Sequence, residues 1–257
     1  MVDVRNDTAG TNDADRFVPQ PHNILLQGIT GSHAYGLANA DSDVDRLGCY
    51  AIDTVELLGL TRHTSKHDTY RETAPRPDRQ LHEARKMCEL LLNSNPSATE
   101  LLWLPDDLYE VKTTLGGQLL EIRETFLSAR EVLYSYRSFA DSQYNKLINR
   151  IAKNTDGHDV RISKHCRHFA RILHQGLGLY RSGRLDVTLD DPQWYREFGE
   201  RAALDPSIAA NEMHVALDKF AASTSPLPDA PDRSAAIDWL RDVRRTYYFD
   251  ADYFENF

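Results

Sequence analysis

Residues 31–45 read G-S-H-A-Y-G-L-A-N-A-D-S-D-V-D, which sets a Gly-Ser pair ten residues ahead of an Asp-x-Asp. Gly31 and Ser32 are small enough to bring backbone N–H groups and one hydroxyl against phosphate oxygens. Asp43 and Asp45, two apart on an extended segment, point to the same face. Two hard oxygen ligands side by side suit Mg²⁺ or Mn²⁺, because Mg²⁺ takes one or two protein carboxylates and fills its other positions with water and substrate phosphates. In-line phosphoryl chemistry commonly uses two such ions roughly 3.5–4 Å apart, so a third carboxylate is expected. Two other glycine-loop readings fail on the letters. Gly31 and Gly36 have a P-loop gap but are followed by Leu37 rather than Lys, and glycines at 28, 31 and 36 do not make a dinucleotide fingerprint. The plainer reading of the Asp-x-Asp alone is a solvated turn after Ala40-Asp41-Ser42; the Gly-Ser at its distance and the apolar run Ile24-Leu25-Leu26 ahead favour the catalytic one.

The stretch resembles the signature of the polymerase-beta-type nucleotidyltransferase superfamily, and its particular form, G-S-H-A-Y-G-L then S-D-V-D-R-L-G, resembles the RNA repair pathway DNA polymerase beta family. Further blocks are similar in order: His67-Asp68-Thr69, Asp78 with Lys86 eight residues on, N-P-S-A-T-E-L-L-W-L-P at 95–105, S-F-A-D-S-Q-Y-N-K-L at 138–147 and K-H-C-R-H-F-A-R-I-L at 164–173. The likeness spans about residues 22–187. It implies an α+β fold, a nucleotidyltransferase head of small mixed sheet with helices followed by a mostly helical C-terminal region. It also implies that Asp43, Asp45 and Asp78 hold the metals while Gly31 and Ser32 grip the triphosphate. For the third carboxylate, Asp78 opens a short strand, D-R-Q-L-H, whereas its rival Asp68 lies in a long loop.

Composition sets looser bounds. The 257 residues are 41% hydrophobic and 27% charged, ordinary for a globular chain with a real core. No apolar run approaches the roughly 20 residues that span a bilayer, and the polar start M-V-D-V-R-N-D lacks the pattern of a secretory signal, so a cytoplasmic location is expected. Cys49, Cys88 and Cys166 are few, odd in number and widely spaced, which points to buried thiols rather than a disulfide framework or zinc cluster. The net charge of −9 argues against a polyanion partner only as an average. From Arg123 to Arg184 there are twelve Lys/Arg against five Asp/Glu, so an RNA strand has a basic block to follow. Within it Lys164 and Arg171 are candidate nucleotide or RNA-backbone contacts and Arg150 and Lys153 candidate RNA contacts, against the alternative of a solvated helix face. His165, Cys166 and His168 look superficially like metal ligands, but on a helix Cys166 faces away from the histidines.

The order of signals divides the chain into a flexible leader (1–21), a catalytic head (22–115) and a helical region with its tail (116–257). The head reads as a strand or lead-in from His22, a helix over Ser32 to Leu37, a strand across Val44 to Ile52, a loop at about 59–77 that could cover the site, a strand at Asp78 to Leu81 and a helix over Glu83 to Leu92. Asn95-Pro96 restarts a helix. Gly116-Gly117 reads as the divide, followed by long helices to about Ile151 and from Val160 to Ser182, with Gly183 as the stop. Further helices are expected over 208–221 and 234–246. Tyr35 reads as core filler more than as a stacking platform. The expected partners are an NTP and an RNA acceptor, a tRNA 3′ end among them; nucleotidylation of a protein hydroxyl and a silent RNA-binding module are the alternatives.

Overall fold

The computed structural model describes residues 23–58, 68–72, 78–153 and 160–248. The leader, the His67 block position and most of the 59–77 loop lie outside these residues, as do the side chains of Arg150 and Lys153. Five strands form one mixed sheet in the order β3-β4-β2-β1-β5: β1 (Asn23–Thr30), β2 (Asp45–Ala51), β3 (Thr69–Glu72), β4 (Arg79–Glu83) and β5 (Tyr109–Lys112). β2 and β4 run parallel and every other pairing is antiparallel.

β1 forms because Leu25 and Leu26 are both sealed, the mark of a strand covered on two sides. It turns directly into α1 (Gly31–Tyr35), which Gly36 stops in the left-handed region at φ 75°. α2 (Thr54–Leu58) follows β2. α3 (Ala84–Leu92) buries Ala84, Met87, Cys88 and Leu91, a three-to-four spacing that makes one apolar face, and the Glu83 carboxylate caps it by accepting the Arg85 amide. α4 (Pro96–Leu101) has Asn95 as its cap and proline in its first turn.

The helical region begins with α5 (Thr114–Glu121), α6 (Ala129–Lys153) and α7 (Val160–Ser182). Tyr136 of α6 packs so close to α7 that a Cβ at Gly176 would meet its ring at 2.6 Å. Then come α8 (Pro192–Leu204), α9 (Pro206–Ala221) and α10 (Arg233–Thr246). α10 returns to the head: Trp239 donates its indole N–H to the Leu115 carbonyl at 2.9 Å, and Arg244 pairs with the buried Glu83 at 2.7 Å. One large apolar cluster runs from Leu25 and Leu26 through Phe126 and Tyr136 to Trp239, so sheet and helices share a core.

The architecture is the expected α+β one, with differences of detail. Gly116-Gly117 lies inside α5 rather than at a break, because a Cβ at Gly116 would meet the Leu25 carbonyl oxygen at 2.2 Å and only glycine lets helix and strand come that close. β3 occupies part of the stretch read as loop, and β5 and α8 were not foreseen. All three cysteines are buried free thiols. Among the described residues no helix is long and apolar enough to cross a membrane.

Candidate functional site

The end of the sheet where β1 stops is also where β2 and β4 start, so the sequence-distant segments 30–31, 45 and 78 meet there. Thr30 pairs with Asp45, Arg46 pairs with Arg79, and the Arg46 amide donates to the Asp78 carbonyl at 2.8 Å. A cleft of about 270 Å³ opens at this edge, with Gly31, Asp45 and Asp78 among its walls. Gly31 has φ 68°, and a Cβ there would lie 2.2 Å from Oδ2 of Asp45. Any side chain at 31 would therefore evict the carboxylate.

The three predicted acids share one electrostatic environment. Burial raises the pKa of Asp45 above the usual carboxylate range; the Lys164 ammonium opposes this, and the charges of Asp78 and Asp43 reinforce it. Asp43 and Asp78 are exposed, whereas Asp45 is half-buried. Among the described residues no three His, Cys, Asp or Glu side chains already converge as a closed metal cage. Open carboxylates gathered around Asp45, whose own ionisation the charges of Asp78 and Asp43 disfavour, fit Mg²⁺, which takes few protein ligands and relieves that repulsion. Asp43 and Asp45, with Asp78 beside them, are the residues that would hold it.

Asp68 lies outside the lining of this cleft. It precedes β3, whose Thr69 pairs with His82 at the far end of β4, and it is buried where its charge acts on Tyr50. The remaining predicted residues separate. The Ser32 hydroxyl is half-buried and makes no hydrogen bond among the described residues. Lys164 is exposed on α7 and acts on Asp45 across the gap between helix and sheet.

Arg171 corrects the expectation of a free phosphate contact. It is 3% exposed, its guanidinium lies 3.7 Å from the Tyr35 ring centroid, and its Nη1 donates to Glu100 at 3.2 Å and to Gln175 at 2.6 Å. Tyr35 in turn donates to Glu100 at 2.8 Å, so its ring is covered by a cation and serves as packing. Burial raises the Glu100 pKa, while Arg171, the Tyr35 hydroxyl and the Gly31 amide lower it. Because it lacks a Cβ, Gly31 gives the cleft room for Asp45. His168 accepts from Arg171 Nη2 through Nδ1 at 3.0 Å, and Cys166 is fully buried, so neither joins a metal site.

Sequence reading missed Arg71 and Gln80, which also line the cleft. The alternation of β3 and β4 was the available signal, hidden because β3 was read as loop. The basic block is also less uniform than its count implies: Arg123 sits over Trp103 at 4.5 Å and Arg137 lies 3.9 Å from Asp141.

With this geometry in view, the chain is of polymerase-beta nucleotidyltransferase type. It belongs to the RNA repair pathway DNA polymerase beta family, whose sequence pattern matches residues 11–187. Among solved structures it is similar to a nucleotidyltransferase-like protein from Exiguobacterium sibiricum 255-15, at 11% identity, covering 88% of this chain and 72% of that one with a TM-score of 0.27. No curated protein matches.

Proposed function

We propose that the protein transfers a nucleoside monophosphate from an NTP to an acceptor hydroxyl, releasing pyrophosphate, with Mg²⁺ bound by Asp43 and Asp45. The observation that carries this reading is the meeting of Asp45 and Asp78 at one sheet edge against a glycine whose missing Cβ makes room for Asp45. The bound metal would supply positive charge to the phosphates. The protein's own part is positioning. Asp45 is held by β2, Asp78 is held beside it by the Arg46 amide, and Lys164 brings a cation to the same edge. In this reading Asp78, exposed and next to Asp45, takes the proton of an attacking hydroxyl. Family membership and the basic stretch 123–184 favour an RNA 3′ end as acceptor.

The test is incubation with Mg²⁺ and each NTP labelled at the α-phosphate, alone and with short RNA or bulk tRNA. Label on RNA is the expected result; label on protein would replace RNA by a protein acceptor, and no label anywhere would remove the transfer reading.

A further inference from the structure

The strand order lays the expected reaction out along one edge of the sheet. Gly31 follows β1, Asp45 starts β2, Asp78 leads into β4, and β3 lies outermost. Neighbouring strands are about 4.8 Å apart, so β3 stands roughly 10 Å from β2 on the side away from Gly31 and Ser32.

Pairing register shows which side chains share the catalytic face. Residues directly opposite in a ladder point the same way, and alternate residues along a strand do too. Arg71 pairs with Gln80, Gln80 pairs with Leu47, and Leu47 is two residues from Asp45. Gln80 is likewise two residues from Asp78. Arg71 therefore stands on the face of Asp45 and Asp78. Arg46 and Arg79 also line the cleft, but with Glu72 they fall on the other face by register and both are already engaged: Arg46 with Glu110 at 2.7 Å, and Arg79 with Gln27 at 2.8 Å and Glu72 at 3.7 Å. Arg71 is exposed and lines the cleft, and its side chain makes no hydrogen bond or ion pair among the described residues.

An in-line displacement puts the attacking and the leaving oxygen on opposite sides of the phosphorus. If the triphosphate lies toward Gly31, Ser32 and Lys164, the acceptor enters from the Asp78 side, and Arg71 is the next cation along its path. We propose, resting on the transfer reading above, that Arg71 binds a backbone phosphate of the acceptor, so that the acceptor is a polynucleotide end carrying a phosphate next to its terminal nucleoside. An uncommitted guanidinium suits a phosphate because its planar fork makes two charge-assisted bonds. A protein hydroxyl offers it no such group.

The experiment uses the full chain with Mg²⁺, α-labelled NTP and two short RNA oligonucleotides that differ only in the last internucleotide linkage, phosphodiester or uncharged methylphosphonate. With the phosphodiester RNA, Arg71→Gln should raise the acceptor KM about tenfold or more and leave the NTP KM unchanged, while Arg71→Lys recovers part of the loss. The parent should lose a similar factor on the methylphosphonate RNA, and Arg71→Gln should lose little further. Equal losses on both oligonucleotides, a matching rise in the NTP KM, or no change in the variant would overturn the assignment while leaving transfer itself intact. A parent that labels only protein, or nothing, overturns the assignment together with the RNA-transfer reading on which it rests.

Discussion

The guanidinium of Arg171 lies 3.7 Å over the ring of Tyr35, and both residues bond the same Glu100 carboxylate, Arg171 at 3.2 Å and Tyr35 at 2.8 Å. This ties α7 to α1 immediately behind Gly31. Gln175 extends the tie by donating to the carbonyls of Asp186 and Val187. A buried pair of this kind adds little net stability over an apolar substitute, but losing one partner strands the other charge. Arg171→Met should therefore cost about 3–5 kcal/mol. The double variant Arg171→Met with Glu100→Gln should cost clearly less than the two singles summed. Urea unfolding of the four proteins measures it, and strict additivity would mean that the pair is not coupled.

Burial, with the charges of Arg171, His165 and the nearby lysines, lowers the His168 pKa to about 3, and burial with Lys86 and Arg71 lowers that of His82 to about 4. Both rings stay neutral in the fold but gain a proton in the unfolded chain below about 6.5. The unfolded state then binds more protons, so stability falls as pH drops from about 6.5 toward these values. Each histidine contributes at most about 1.4 kcal/mol per pH unit. Urea midpoints between pH 7 and pH 4 should fall less steeply in a His168→Gln, His82→Gln variant than in the parent; parallel curves would contradict the assignment.

Two adjacent glycines should respond with opposite sign. A Cβ at Gly116 meets the Leu25 carbonyl oxygen at 2.2 Å, whereas one at Gly117 meets nothing within 4 Å. Gly116→Ala should destabilise by about 1–3 kcal/mol or more through overpacking. Gly117→Ala should stabilise by roughly 0.5–1 kcal/mol, because alanine loses less backbone entropy in a helix. Thermal melts of the two single variants decide it, and a shift of the same sign in both would refute the packing argument.

Those glycines also show what the sequence could and could not convey. A Gly-Gly pair is a helix breaker by local propensity, and its use for close approach to β1 depends on a partner some ninety residues earlier. Arg171 is the same problem in another form: a lone arginine on a helix reads as solvated, since its partner Glu100 is distant in sequence and only the fold buries both. β3 and β5 are four-residue edge strands with weak alternation, so they were invisible or taken for loop. The helix opening at Gly31, strand β2 and helix α7 were legible because each is fixed locally, by small residues, by a short run of strand-forming apolar residues, or by a long apolar period ended at Gly183.

Asp78 and Asp68 separate function from stability. Asp78→Ala should cut turnover by about 100-fold or more, as expected for loss of a proton acceptor, with little change in melting temperature. Asp68 is buried away from the cleft, so Asp68→Ala should lower the melting temperature while the folded fraction turns over normally. Activity per folded molecule in both variants is the measurement; a loss in Asp68→Ala equal to that in Asp78→Ala would reassign the third carboxylate.

In the proposed function, the carboxylates where β2 begins serve metal-assisted transfer. The most direct measurement is turnover and thermal stability of Asp45→Asn on one sample, assayed with Mg²⁺, α-labelled NTP and RNA. Burial and the charges of Asp78 and Asp43 raise the pKa of Asp45, so neutralising it should leave the melting temperature unchanged or slightly higher while label transfer disappears. Undiminished transfer by a folded Asp45→Asn protein would mean that Asp45 does not hold the metal.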